Sequence, residues 1–147
     1  MGIRAILEGL RDSLANSTEL TEYCQTKFGK PQTVFLGYNP EKPPTEEDWP
    51  AVVIAMVDSE IQNRRIQRKI TVGFFSDNET IDQDTNAKTY RGFVDSEELR
   101  EVTEEVALNL QGPLGKIEIE AGTEDNLLFP LFTSLSIFTI ENIVESR

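Results

Sequence analysis

"EEDWPAVVIAMVDSE" (Glu46–Glu60) decides the fold. Three acids lead into Trp49 and Pro50, seven apolar residues run from Ala51 to Val57, and acids return at Asp58 and Glu60. Nothing polar alternates along "AVVIAMV", which predicts a strand covered on both faces and central in its sheet. The stretch carries no catalytic chemistry. It is a core strand with an acidic, proline-stiffened approach.

Upstream, "NPEKPPTEEDWP" places four prolines in 12 residues. Proline removes a backbone donor and fixes φ, so this segment is an extended loop. "TVFLGY" (Thr33–Tyr38) before it is β-branched and aromatic, and predicts a strand. Ile3, Ile6, Leu7, Leu10 and Leu14 fall at helical spacing and predict an amphipathic helix over Ile3–Leu14. "ANST" (Ala15–Thr18) breaks it. Ser17 or Thr18 caps a second helix that buries Leu20, Tyr23, Cys24 and Phe28 and stops at Gly29 and Pro31.

Downstream, the turn out of the apolar strand is expected near Asp58–Gln62. "IQNRRIQRKITVGFFS" then switches to period two. Ile66, Ile70, Val72 and Phe74 share one parity; Arg65, Gln67, Lys69 and Thr71 share the other, as in a half-buried strand. "SDNETIDQDTNAKTYRG" (76–92) predicts a long polar loop, a kind of segment that is usually functional or disordered. Asp95 or Ser96 is placed to cap a third helix, with Leu99, Val102, Val106 and Leu110 as its apolar stripe and Gly112–Pro113 as its end. "GKIEIEAG" is a short alternating strand. "LFPLFTSLSIFTIEN" is the last strand, with Leu135, Ile137 and Thr139 opposite Ser134, Ser136 and Phe138. The order α-α-β-β-β-α-β-β predicts a single α+β domain over 1–147: a mainly antiparallel sheet with two to three helices packed on one face.

Composition narrows function. The chain has 147 residues, one cysteine and no histidine. That excludes an internal disulfide, His-based triads and His-containing zinc sites. Cys24 without a histidine partner reads as a small buried apolar side chain. Arg4, Glu8, Arg11 and Asp12 interrupt any signal-peptide core, which predicts a cytoplasmic start. No apolar run approaches the ~20 residues of a membrane helix. The formal charge of −12 repels nucleic acid phosphate.

Motifs for chemistry fail on inspection. "DQDTNAKTYRGF" starts like a calcium loop at Asp82, Asp84 and Asn86. Ala87 then stands where a sharp turn needs Gly, and Phe93 where a bidentate Glu is required. "GPLG" (Gly112–Gly115) is a helix stop, because no helix opens after it. Glu97/Glu98 and Glu104/Glu105 are adjacent on a helix and do not face each other. No cofactor or metal is implied.

The basic cluster "RRIQRK" carries more. Arg64, Arg65, Arg68 and Lys69 are four of only 14 bases, and the flanks are acidic. One reading is a solvated strand face. The other is a contact surface that pairs with acids of a neighbouring copy, since separated charge favours head-to-tail association and ring closure. Trp49 is either a cap on the core's end or an interface anchor. Asp82, Asp84, Tyr90 and Arg91, in and beside the polar loop, complete the candidate interface.

The order of these features resembles a known family. An N-terminal amphipathic helix is followed by a Gly/Pro-containing connection, the acid–aromatic–Pro–Ala entry "EEDWPAVVIAMVD", a charged hairpin strand, a polar loop, a helix and the alternating strand "SLSIFTIE". The chain is similar to the tail-terminator proteins of long-tailed bacteriophages, the minor tail protein U type and its head–tail joining relatives. The resemblance implies a hexameric ring in the neck of the virion tail, assembled in the host cytoplasm. That ring would stop tail-tube polymerisation, join tail to head through a head-completion protein, and let DNA pass without specific binding. A rival from a different class is a monomeric acidic protein-binding module of the immunity or inhibitor type, whose signature is an acidic face without self-association.

Overall fold

A computed structural model describes residues 2–37, 39, 41–42, 44–122, 127–128 and 131–143. Three helices and eight strands form an α+β fold whose main sheet is mostly antiparallel. Helices α1 (Ile3–Ala15) and α2 (Thr18–Phe28) open the chain. The Ser17 side chain accepts from the Leu20 amide at 3.1 Å, as a cap should. Gly29 closes α2 at φ 80°, a left-handed position that costs a residue without a Cβ little. The buried Gln32 amide ties the two helices together by donating to the Leu14 carbonyl and the Thr21 hydroxyl.

Strand β1 (Thr33–Leu36) pairs in parallel with β2 (Ala51–Gln62). The predicted end of β1, Tyr38, lies outside the described residues, as do Phe129 and Pro130 of the predicted last strand. Strand β2 turns at Asn63–Arg64 into β3 (Arg65–Asp77), and β3 pairs along its whole length with β8 (Leu131–Ile143). Strand β6 (Lys116–Ala121) forms the far edge, and β7 (Leu127–Leu128) pairs with the start of β8. The sheet order is β1-β2-β3-β8-β6.

Three expectations are corrected here. The turn lies at Asn63–Arg64, beyond the expected Asp58–Gln62, because β2 keeps its ladder with β3 past the acids. Both turn residues take positive φ, 51° and 63°, which matches the twist of a tight hairpin. The apolar strand is interior only where β1 flanks it: Ala51, Val52, Val53 and Ile54 are buried on both faces, while β3 is the central strand. The third helix, α3 (Arg91–Leu108), starts four residues ahead of Asp95, and its N-cap is Tyr90, with no side-chain cap bond. Asp95 and Ser96 lie buried inside it.

All three helices pack on one sheet face. Their core joins Ile6, Leu10, Leu14, Leu20, Cys24 and Leu99 to Val52, Ile54, Ile70, Val72, Phe74, Phe138 and Ile140. Each fully buried aliphatic or aromatic side chain stabilises the fold by about 1.5–3 kcal/mol before entropy is counted. On β8 the face toward the helices is Ser134, Ser136, Phe138 and Ile140. The serines are small enough to let α3 come close, and their hydroxyls are satisfied: Ser134 donates to the Ser96 carbonyl at 3.0 Å and Ser136 to the Glu104 carboxylate at 3.2 Å.

The expected polar loop at 76–92 is largely ordered backbone. After β3 ends at Asp77, β4 (Ile81–Asp84) and β5 (Ala87–Tyr90) form a separate two-stranded hairpin. Its turn residue Thr85 has φ 41°. All eight strand residues are exposed. A sequence without apolar alternation cannot bury a face, yet it still pairs its backbone.

Candidate interaction surface

The basic cluster is divided by the pleat of β3. Arg65 and Lys69 point away from the helices. Arg68 has the other parity, faces the helix side and is only 7% exposed. Its guanidinium donates to Asn142 at 3.3 Å, and Asn142 donates to the Leu114 carbonyl at 3.0 Å. Gly115, at φ 110°, makes this corner possible, because a Cβ there would press on the Glu141 carbonyl and the Asn142 amide. Arg68 is therefore part of the end of the fold rather than part of an exposed charge patch, as parity with Ile66 and Ile70 implies.

Arg65 and Lys69 stand between two acids of β2 and one of β8. Across β2, Asp58 lies opposite Lys69 and Glu60 opposite Gln67. Across β8, Arg65 reaches the Glu141 carboxylate at 3.1 Å, and Gln67 also donates to it at 3.1 Å. Those donors, Gln67 first and Arg65 after it, hold the Glu141 carboxyl below its ordinary pKa. An open groove of about 410 Å³ lies here, lined by Glu60, Gln62, Asn63, Arg65, Gln67 and Glu141. Arg64 sits at the hairpin tip. The strand face thus sets the bases of the cluster against acids of the neighbouring strands.

The second half of the candidate set lies at the other end of β3. Asp82 pairs with Arg91, joining the β4–β5 hairpin to the first residue of α3. The Arg91 amide donates to the Thr80 carbonyl at 3.2 Å. Asp84 stays at the hairpin turn. Tyr90 packs its ring 6.3 Å from that of Phe132. Ile81, Tyr90, Phe93 and Val94 are exposed together at this end. Arg65 and Asp77 are 12 residues apart on one strand, so the two ends are separated by about 40 Å at ~3.3 Å per residue.

Trp49 lies at the Asp77 end of β3, beside Ser76 and Asp77. It stacks on Phe75, on the sheet face away from the helices, and caps the entry to β2.

One cluster gave no signal in the sequence. Asp95, with its side chain 7% exposed, receives Lys27 at 3.2 Å and the Asn78 amide at 3.1 Å. It ties α2, α3 and the β3–β4 link. Reading Asp95 as a helix cap hid it; burial on the second turn of α3 is set by tertiary packing, which local pattern does not encode. Among the described residues no three His, Cys, Asp or Glu side chains converge as a metal site. Among them also no helix is long and apolar enough to cross a membrane.

No protein-family model matches the chain, and no curated protein matches it closely enough to count as a relative.

Proposed function

We propose that this chain is a structural assembly protein that works by docking to copies of itself, as a tail-terminator-like ring in the neck of a long-tailed phage virion. One observation carries the reading. Two exposed hairpins extend from opposite ends of β3, one bearing Arg64, Arg65 and Lys69, the other Asp82 and Asp84. Bases at one end and acids at the other, each partly offset by neighbours such as Glu141 and Arg91, suit a heterologous, head-to-tail contact, and such contacts close into rings when the rotation allows. Exposed Ile81, Tyr90, Phe93 and Val94 supply apolar surface at the acidic end. Each exposed ion pair contributes less than about 1 kcal/mol, so charge would set orientation and the apolar surface affinity.

In this reading the ring ends tail-tube growth and presents a face to a head-completion protein, and the net charge of −12 keeps passing DNA from sticking. The exposed acids Asp58 and Glu60 of β2 also suit a monomeric module that presents carboxylates to a basic partner.

Light scattering at micromolar concentration separates the two. The ring reading expects an oligomer, six copies by the family resemblance, and expects Arg65→Gln with Lys69→Gln to shift it toward monomer with an unchanged circular dichroism spectrum. A strict monomer that also fails to cap isolated tail tubes overturns it.

A further inference from the structure

We propose that the open edge of β2 over Val57–Gln62 is a strand-acceptor site for a partner protein's extended segment that alternates apolar and basic residues. Strand β1 pairs with β2 only from Ala51 to Ile54. Beyond Ile54, no strand among the described residues pairs with that edge, while the other edge of β2 is laddered to β3 as far as Gln62. A row of unpaired amides and carbonyls on a preformed strand is a template for a further strand.

Proteins often guard such edges, and β2 carries two common guards: a register shift between Ala55 and Val57, and acids at Asp58 and Glu60. Guarding does not explain the other face of the same segment. Val57 and Ile61 lie on the helix-side parity, yet among the described residues no helix covers them, and they are 41% and 70% exposed. An added strand would place apolar side chains beside Val57 and Ile61 on one face and bases beside Asp58 and Glu60 on the other. Directly opposed pairs of this kind stabilise a sheet, and like charges oppose it.

The charges also select the occupant. The outer strands of the sheet are β1, whose Thr33–Leu36 offers no base to the acids, and β6, which presents Lys116, Glu118 and Glu120 on the face shared with Asp58 and Glu60. A second copy docking β6 against β2 sets mostly acids against acids. A two-fold pairing of β2 with β2 over Val57–Gln62 brings acids and no base together on that face. A basic strand from a different protein meets neither penalty, and the site does not depend on ring assembly.

The test uses the full chain and two capped peptides, Lys-Val-Lys-Ile-Lys-Val-Lys and its counterpart with Glu for every Lys. Amide hydrogen exchange should slow selectively over Val57–Gln62 with the Lys peptide and not with the Glu peptide. Asp58→Lys with Glu60→Lys should weaken binding at least about tenfold, and the milder Glu60→Gln should weaken it in the same direction with an unchanged circular dichroism spectrum. The assignment is overturned by equal binding of both peptides, by protection elsewhere, or by no protection at millimolar peptide. It is equally overturned if protection of 57–62 grows with the chain's own concentration and no peptide present, because a second copy then holds the edge.

Discussion

Trp49 stacks on Phe75, with ring centroids 5.6 Å apart and planes within 20° of parallel. Phe75 lies on the sheet face that carries no helix, beside Ala51. The loop ahead of β2 therefore covers part of the bare face with its one tryptophan. A double-mutant cycle, Trp49→Ala against Phe75→Ala, should return a coupling of about 0.5–1.5 kcal/mol in urea unfolding. A coupling near zero would remove the stack as a stabilising contact and return Trp49 to the interface.

Val53 and Val57 share a strand but not an environment: Val53 is 3% exposed and Val57 41%. Val53→Asp would bury an unpaired charge, and we expect loss of the folded circular dichroism signal. Val57→Asp should change stability by about 0.5–1 kcal/mol at most. Similar effects from both would mean that β2 is covered evenly along its length.

Gly92 sits in the first turn of α3 against the ring of Phe132, where an added Cβ would overlap the ring. Alanine in a helix normally gains ~1 kcal/mol over glycine. Here Gly92→Ala should instead destabilise, by about 1–3 kcal/mol of overpacking, as a lowered urea midpoint. Gly92→Ala with Phe132→Leu should recover part of the loss.

Burial raises the Cys24 thiol from 9.0 to about 12. The folded thiol keeps its proton where the unfolded thiol has begun to lose it. This contribution to stability is therefore level below pH 9 and falls as pH rises from about 9 toward 12. Cys24→Ala should flatten that part of the stability profile. In the native protein the thiol should resist a disulfide reagent near neutral pH and react on unfolding.

The helices at the front were legible because Leu10 and Leu14 continue one stripe and because Ser17 and Gly29 mark ends by local chemistry. Strands β3 and β8 were legible because alternation is itself the signature of a half-covered face. What stayed hidden depended on partners distant in sequence. Nothing local says that β2 continues past Asp58, since the ladder to Lys69 and Arg68 decides it. Nothing local separates Arg68 from Arg65 until the parity of Ile66 and Ile70 is followed through the cluster. Asp95 carried a cap's residue type at a buried site. The polar segment after Asp77 looks like loop in sequence because strand signals count apolar alternation, and a hairpin exposed on every strand residue has none. Of the interface candidates, strand alternation brought together Arg65 with Lys69, but not Asp82 with Arg91, nor the cross-strand acids that temper the first pair.

The β4–β5 hairpin turns at Thr85 and Asn86 without burying a strand residue. A short reporter sequence inserted between those two residues would leave the helices and the main sheet untouched, so the acidic end of the molecule offers a labelling point from which its traffic with other molecules can be followed by fluorescence.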